Sequence, residues 1–294
     1  MNSLRINSLD IFCKNVFYTR NMGYFTTKQL HPWLYSIFDP MGVYSYLAVG
    51  REKALLFDTT YGIGSLPDAV KEITDKPLTV VLSHGHVDHS CGAYQFDEVL
   101  THENEIELVR KHTSAEYRNK FIVAENSGTL KMNKGSSFPE DFNEERYMNS
   151  GMGNLKKLNS GEIFDLGGLK LEVVPMEGHT RGSIGLLSKE HGILLDSDAA
   201  NWHIWLFFDE SLSVNSYVSM LKRTIKLDFD TFYVGHSNNP LPKSEFEKYI
   251  SVASNASIEK ARIYDNKMFP EFVIYIYEEN HIGIAFSRKT LTGT

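Results

Sequence analysis

The 294-residue sequence predicts an α/β protein, and three patterns carry that expectation. Short aromatic and aliphatic runs at Trp33 to Phe38, Val43 to Val49 and Ala54 to Phe57 are separated by the turn formers Asp39-Pro40-Met41-Gly42 and Gly50-Arg51-Glu52-Lys53, which reads as strands joined by hairpins. A helical stripe at Leu66, Val70 and Ile73 comes next, then the apolar run Leu78 to Leu82, giving the order of a strand–helix–strand step. Farther on, short apolar runs alternate with Ser213 to Leu227, whose Val214, Tyr217, Val218, Leu221 and Ile225 fall on one helical face.

In chain order, residues 1 to 30 have no clear period. Ser65 with Asp68 three residues on reads as a capping box at a helix start. A short helix through Tyr94 and a strand, Val99-Leu100-Thr101, follow the run at Leu78 to Leu82. Residues 102–153 are polar and charged, with a Gly/Ser/Pro/Asn-rich middle, and read as an insertion lying over the site. Strands are expected at Leu169 to Val174, Ile184 to Leu187, Ile193 to Leu195 and Thr231 to Val234. A long helix from Ser244 to Tyr264 and a terminal hairpin, Phe272 to Tyr277 with Ile282 to Phe286, make up the region 244–290. No break in composition divides the chain, so one domain over 1–294 is expected.

Composition narrows the function classes. Hydrophobic residues make up 42% and charged residues 23%, ordinary for a protein that buries a sizeable core. A net charge of -7 argues against a nucleic-acid surface, and no apolar stretch reaches membrane-span length, so the expected partner is a small molecule. Two distant cysteines, Cys13 and Cys91, form no disulfide framework, and the N-terminus lacks the apolar core of a secretory signal; both point to the cytoplasm. Oligomeric state has no sequence signal.

The chemistry concentrates in His84-Gly85-His86-Val87-Asp88-His89, directly after the apolar run ending at Leu82. In extended backbone, residues two apart point the same way, so His84 and His86 converge on one point while a turn sends Asp88 and His89 to another. Two adjacent metal half-sites are the natural result, because neutral imidazole suits zinc and other borderline ions and an added carboxylate suits a harder position. Further ligand-type residues follow later strands: His179 in Gly178-His179-Thr180, Asp196 and Asp198 after Leu195, and His236 after Gly235. Asp58 also sits at a strand end and is expected to hydrogen-bond the histidine loop. Trp202, His203, Trp205, Phe207 and Phe208 cluster after Asp198, where they either wall a substrate pocket or pack in the core.

Taken in this order, His84-x-His86-x-Asp88-His89, Gly178-His179, Asp198 and Gly235-His236 resemble the metallo-β-lactamase superfamily. The run Leu158-Asn159-Ser160-Gly161-Glu162-Ile163-Phe164-Asp165-Leu166-Gly167-Gly168 is similar to its glyoxalase II and lactonase-like branches. The resemblance implies a four-layer αββα sandwich with the site at one edge. It implies that His84, His86 and His179 hold one divalent ion, that Asp88, His89 and His236 hold a second, and that Asp198 bridges them. The ions would be zinc, with manganese or iron as alternatives.

The implied activity is hydrolysis of a small ester, thioester or lactone by a metal-bound hydroxide, with Asp88 and Asp198 orienting the nucleophile. An iron-dependent persulfide dioxygenase, a phosphodiesterase and a non-catalytic metal-binding protein are the competing readings. Arg181 stands where the hydrolase branch commonly has Pro, and Asn201 where lactonases tend to have Tyr. Arg181, Asn201, Trp202 and His203 are therefore the candidate substrate contacts.

Overall fold

The computed structural model describes residues 19–128, 132 and 137–293. Cys13 and the opening of the chain lie outside the described residues. Two sheets pack face to face and helices cover their outer faces, giving the four-layer αββα sandwich. The first sheet has eight strands in chain order: Thr19–Met22, Phe25–His31, Leu34–Asp39, Val43–Val49, Ala54–Phe57, Leu78–Val81, Glu98–His102 and Asn154–Leu158. The first five are antiparallel, as their short hairpin connections require, and the last three join in parallel through helical crossovers. The second sheet has six strands, in the order Ser237–Pro242, Thr231–Val234, Ile193–Ser197, Ile184–Ser188, Lys170–Pro175 and Ile163–Asp165.

Strand alternation sorts the side chains between layers. Leu55 and Phe57 face the second sheet, where they meet Leu171, Val173, Leu186 and Leu195. Ala54 and Leu56, one residue out of step, face the helices Leu66–Lys71 and Ile106–His112. On the other side, Leu187, Leu194 and Phe232 pack under Val214–Thr224 and Glu245–Asn255. Strands buried on both faces must be apolar at every position, which is why these segments read as continuous runs.

Three elements depart from the sequence expectation. Ser65 occupies the N-cap of Leu66–Lys71 but its hydroxyl makes no capping bond; the helix-end donor Leu66 N–H goes instead to Gln95 Oε1 at 2.9 Å. The helix expected to reach Tyr264 ends at Asn255, and Arg262–Ile263 pairs with the C-terminal hairpin. That hairpin, Tyr275–Glu279 with Ile282–Phe286, turns at Asn280 and His281, both left-handed. With His203–Leu206 running parallel to its last strand, it forms a third, four-stranded sheet.

Among its described residues, the segment 102–153 carries three α-helices, Ile106–His112, Ala115–Asn126 and Glu144–Asn149. A buried arginine fastens it to the metal-loop side of the molecule. Arg118 Nε donates to Cys91 Sγ at 3.4 Å, its Nη1 donates to the carbonyls of Tyr147 and Ser150, and its guanidinium stacks on Tyr94 and Tyr147. Cys91 is therefore occupied as an acceptor in packing, away from the histidines. Phe121 of the second helix stacks on Tyr61 at 4.5 Å. Among the described residues, no helix is long and apolar enough to cross a membrane.

Candidate metal centre

The site gathers where strands of both sheets end. Ala54–Phe57 and Leu78–Val81 are parallel, so Asp58 and the histidine loop leave the first sheet at the same edge. Ile193–Ser197 and Thr231–Val234 are parallel in the second sheet, which brings Asp198 and His236 together in the same way. Lys170–Pro175 runs in that direction too and delivers His179. The sheets are stitched at this edge by Ile184 N–H to Ser83 O at 2.9 Å and Tyr44 N–H to Gly235 O at 2.8 Å.

His84, His86 and His179 form one group, with ring centroids 4.6 to 5.0 Å apart. Asp88, His89 and His236 form a second, and Asp198 lies between the two. Its Oδ2 is 3.8 Å from His179 Nε2 and 3.3 Å from His236 Nε2, while its Oδ1 is 3.5 Å from His89 Nε2. Asp88 Oδ2 is 3.5 Å from both His89 Nε2 and His236 Nε2. Ligands about 2.0–2.2 Å from a shared tetrahedral ion lie roughly 3.3–3.6 Å apart, so most of these separations fit a common cation.

Buried polar atoms point the same way. His84 Nε2 is buried without a hydrogen-bond partner, an expensive arrangement unless something else binds it, and His89 Nε2 and Asp198 Oδ1, also buried, face each other only at the long separation of 3.5 Å. Four rings are oriented through their opposite nitrogen, Nδ1: His84 to Ser83 Oγ at 2.9 Å, His89 to Asp58 Oδ2 at 2.9 Å, His179 to Trp205 O at 2.7 Å and His236 to Gly42 O at 2.8 Å. Such partners fix ring orientation and raise ligand basicity. Gly42 can offer its carbonyl because it closes the turn after Asp39 at a φ of 97°, which glycine adopts without penalty. Asp58 also accepts from Ser83 N, Ser83 Oγ and Ser197 Oγ at 2.7 to 2.9 Å, tying the two sheets beneath the site. Asp58 and Ser197 are both left-handed, at φ 69° and 55°, backbone strain held at the centre.

Two glutamates that the sequence did not reveal complete the support. Glu105 is fully buried and accepts from Gly85 N at 2.8 Å and Gly182 N at 2.6 Å, so one carboxylate clamps the His84–His86 loop to the His179 loop. Nothing in its sequence setting marks it, because its partners are backbone groups far along the chain. Glu210 Oε1 lies 3.1 Å from His86 Nε2, leaving His86 Nδ1 to face His179 Nε2 at 2.8 Å. Glu210 follows the strand His203–Leu206, so the acidic-residue-after-a-strand pattern that singled out Asp58 also marks it. Glu210→Gln is expected to weaken zinc binding about 10- to 100-fold in competition with a chromophoric chelator; an unchanged constant would remove Glu210 from this role.

Burial and neighbouring charge set the protonation states. Burial, reinforced by the other rings, pushes His84 well below the ordinary histidine range and His179 down to about 4, leaving both neutral, as ligands must be. For His236, burial opposes charging, but Asp198 and Asp88 outweigh it and raise the ring to about 9; His89 is raised by Asp88, Asp198 and Asp58 in the same way. In the metal-free protein these two rings are protonated at neutral pH, so a cation must displace their protons. Zinc affinity should therefore fall by up to about tenfold per pH unit per displaced proton as the pH drops below 9, and His236→Asn should flatten that slope. A chelator competition series between pH 6 and ~9 reads both.

The other candidate residues fall in different places. Asn201, Trp202 and His203 line a cavity that also has His86, Asp88, His179, Asp198 and His236 in its walls. Asn201 Oδ1 accepts from Trp202 N at 2.9 Å, and His203 Nε2 lies 3.4 Å from Glu278. Arg181 is outside this lining and donates to the Asp209 carbonyl at 3.2 Å. Asp196 is buried with neither oxygen paired, and burial together with Asp198 keeps it protonated well above the carboxylate range.

The sequence profile of the metallo-beta-lactamase superfamily matches residues 38–236, spanning every one of these site residues from Asp58 to His236. The chain belongs to that superfamily. Within it, the chain is similar to the acyl-coenzyme A thioesterase MBLAC2 of Homo sapiens, at 28% identity over 197 residues, covering 62% of this chain and 67% of the relative. The Gallus gallus protein of the same name matches at 27% over 194 residues, covering 62% and 66%. Among solved structures of the superfamily fold, a metallo-beta-lactamase family protein of Thermus thermophilus aligns with a TM-score of 0.54 at 23% identity, covering 76% of this chain and 80% of that one. The sec-alkyl sulfatase PisA1 aligns at 0.58 with 14% identity, covering 77% and 40%.

Proposed function

We propose that this superfamily member is a binuclear metal-dependent hydrolase, with zinc in the centre, acting on the carbonyl of an acyl thioester. The observation that carries the reading is the convergence of His84, His86 and His179, and of Asp88, His89 and His236, on either side of Asp198, with His84 Nε2 buried and unpartnered among them. Divalent ions bound there supply Lewis acidity for a carbonyl oxygen and lower the pKa of coordinated water to ~7. The superfamily membership and the thioesterase names of the relatives agree with this reading.

The protein's own groups favour a thioester over an amide. Asp198 is held far below the carboxylate range: burial opposes this, but His236 and His89 outweigh it. Burial likewise opposes ionisation of Glu210, but its bond to His86 brings it down to about 2. Both are ionised at neutral pH and accept hydrogen bonds. Asp198, between the half-sites, is suited to accept a hydrogen bond from the attacking water or hydroxide and so to hold its lone pair toward the carbonyl carbon. A thiol leaving group, with a pKa near ~8.5, departs without a strong proton donor, which an amine would need. Phe208, with its ring 5.0 Å from His86, shields the reacting carbonyl from bulk water.

The test is a substrate panel with zinc-, manganese- and iron-loaded protein: acyl thioesters, lactones, β-lactams, phosphodiesters and a glutathione persulfide with oxygen uptake recorded. Thiol release from thioesters alone is expected. Turnover of another class, or oxygen consumption, would replace the reading with that class, and metal binding with no turnover would favour a non-catalytic role.

A further inference from the structure

The cavity beside the metal centre is larger and more apolar than a small ester or lactone requires. It measures about 1030 Å³, slightly above the usual span for small-molecule sites of roughly 300–1,000 Å³. Its walls come from three segments of the chain outside the histidine motifs. On one side stands the insertion helix Ala115–Asn126, with Tyr117, Phe121, Val123 and Ala124; on the other stand Trp205, Phe208, Phe269 and Phe272.

The second wall is continuous. Phe208 lies against His86, and its ring is 5.0 Å from Phe269 and 5.9 Å from Phe272, so an aromatic surface leads from a metal ligand outward. The lip is apolar as well. Among the described residues six large hydrophobic ones are exposed, and Val123 at 57%, Trp202 at 49% and Met268 at 36% exposure all line this cavity. Apolar surface gathered in one place around a functional cleft marks a binding surface, whereas scattered residues need no explanation.

We propose that this cavity holds the acyl group of the substrate as an extended hydrocarbon chain, and that helix Ala115–Asn126 sets the chain length accepted. The proposal rests on the hydrolase reading above. With the carbonyl at the metal centre, the chain runs outward along Phe208 and Phe269 and is closed over by Phe121, Val123 and Ala124. Charged groups also line the cavity, and several of them are engaged with other residues. Asp209 pairs with Lys289 at 3.3 Å, Glu210 with His86 and Lys120 with Glu116 at 2.9 Å. Lys111 lies over Tyr117, while Lys267 and Glu271 belong to the 267–272 segment of the wall. The insertion, which has no counterpart among the ligand-bearing loops, thereby becomes the specificity element of the enzyme.

Two measurements test this. In the first, kcat/KM is compared for thioesters of one thiol with straight acyl chains from acetyl to hexadecanoyl, on the metal-loaded full chain and on Ala124→Trp, which fills the helix side of the cavity. The wild type is expected to gain up to about fourfold per added methylene, the ceiling for a fully buried CH₂, until the cavity is filled. Ala124→Trp should shorten the optimum and lower the hexadecanoyl-to-acetyl ratio by at least ~tenfold, on the scale of a few lost methylenes. A flat chain-length profile in the wild type, or an equal loss for every chain length in the variant, overturns the proposal while leaving thioester hydrolysis intact. In the second, binding of dodecanoate and of acetate to the metal-free protein is followed by tryptophan fluorescence. Saturable binding of dodecanoate alone is expected. If no thioester is hydrolysed, the hydrolase reading fails, and the dodecanoate result still decides whether the cavity holds a chain: no binding overturns it.

Discussion

Asp198→Asn is expected to slow thioester hydrolysis by roughly 10²- to 10³-fold or more and to lower the zinc bound per chain. Asn keeps the shape of the side chain and removes its charge, so the effect reports on electrostatics more than on packing. Asp198 reaches His179, His89 and His236 with its two oxygens, which no other carboxylate at the site does. Removing one member of a buried charged set typically costs about 3–5 kcal/mol, which corresponds to roughly 10²- to 10³-fold or more where that cost falls on the reacting state. A second consequence needs no metal. In the metal-free variant the His236 ring should fall from about 9 toward the ordinary histidine value, because its main counter-charge has gone. Imidazole titration by NMR reads this directly. Wild-type turnover together with an unmoved His236 would exclude Asp198 from the centre.

Gly235→Ala is expected to be nearly as damaging, for a steric reason. A Cβ at this position would lie 2.6 Å from Asp198 Oδ1 and 2.7 Å from His89 Cε1, inside contact distance of a ligand from each side. Both neighbours are packed: His89 is buried on the Asp58 carboxylate, and Gly235 N–H is bonded to Ser197 O at 2.6 Å. The methyl group is therefore accommodated by moving Asp198, His89 or the strand end itself. Displacements near 1 Å at a reacting centre cost on the order of 10²-fold in rate. Metal content and kcat/KM on purified Gly235→Ala test this, with circular dichroism to verify that the two-sheet core is retained. Activity within about threefold of wild type would mean the strand end yields more easily than this packing implies.

The centre was legible in sequence for a physical reason. Ligands placed after buried strands announce themselves, because the strands are uninterrupted apolar runs and the loops that follow are rich in His, Asp and Gly. Thr231 to Val234 reads as a strand and is one, with Gly235-His236 directly after it. Supporting groups were less visible to the degree that their partners are distant. Asp58 shares the strand-end pattern and could be anticipated, whereas Glu105 clamps two backbone amides contributed by residues 85 and 182 and leaves no local trace.

The same distinction governs the fold. The central strands of the two inner sheets follow from local pattern, but Thr19–Met22, Phe25–His31, Asn154–Leu158 and Ser237–Pro242 have no clear sequence signal. The third sheet depends on Arg262–Ile263 and His203–Leu206 finding the C-terminal hairpin. The helix ends at Asn255, where Ala256 turns extended, and the chain between it and Arg262–Ile263 still packs Ala256, Ile258 and Ala261 on the core without being helical. Helix Ala115–Asn126 has no clean apolar stripe. It is held by Arg118, a residue type that composition assigns to the surface and that here is fully buried among Tyr94, Tyr147 and Cys91.

The most direct test of the account is a titration. Metal-stripped protein receives zinc in sub-stoichiometric steps while bound metal per chain and thiol release from an acyl thioester are measured in the same samples. No turnover is expected in the stripped protein, and activity should level off at about two equivalents per chain, one for each ligand group beside Asp198. Thiol release without metal, or a plateau at one equivalent that further zinc does not raise, would contradict that expectation.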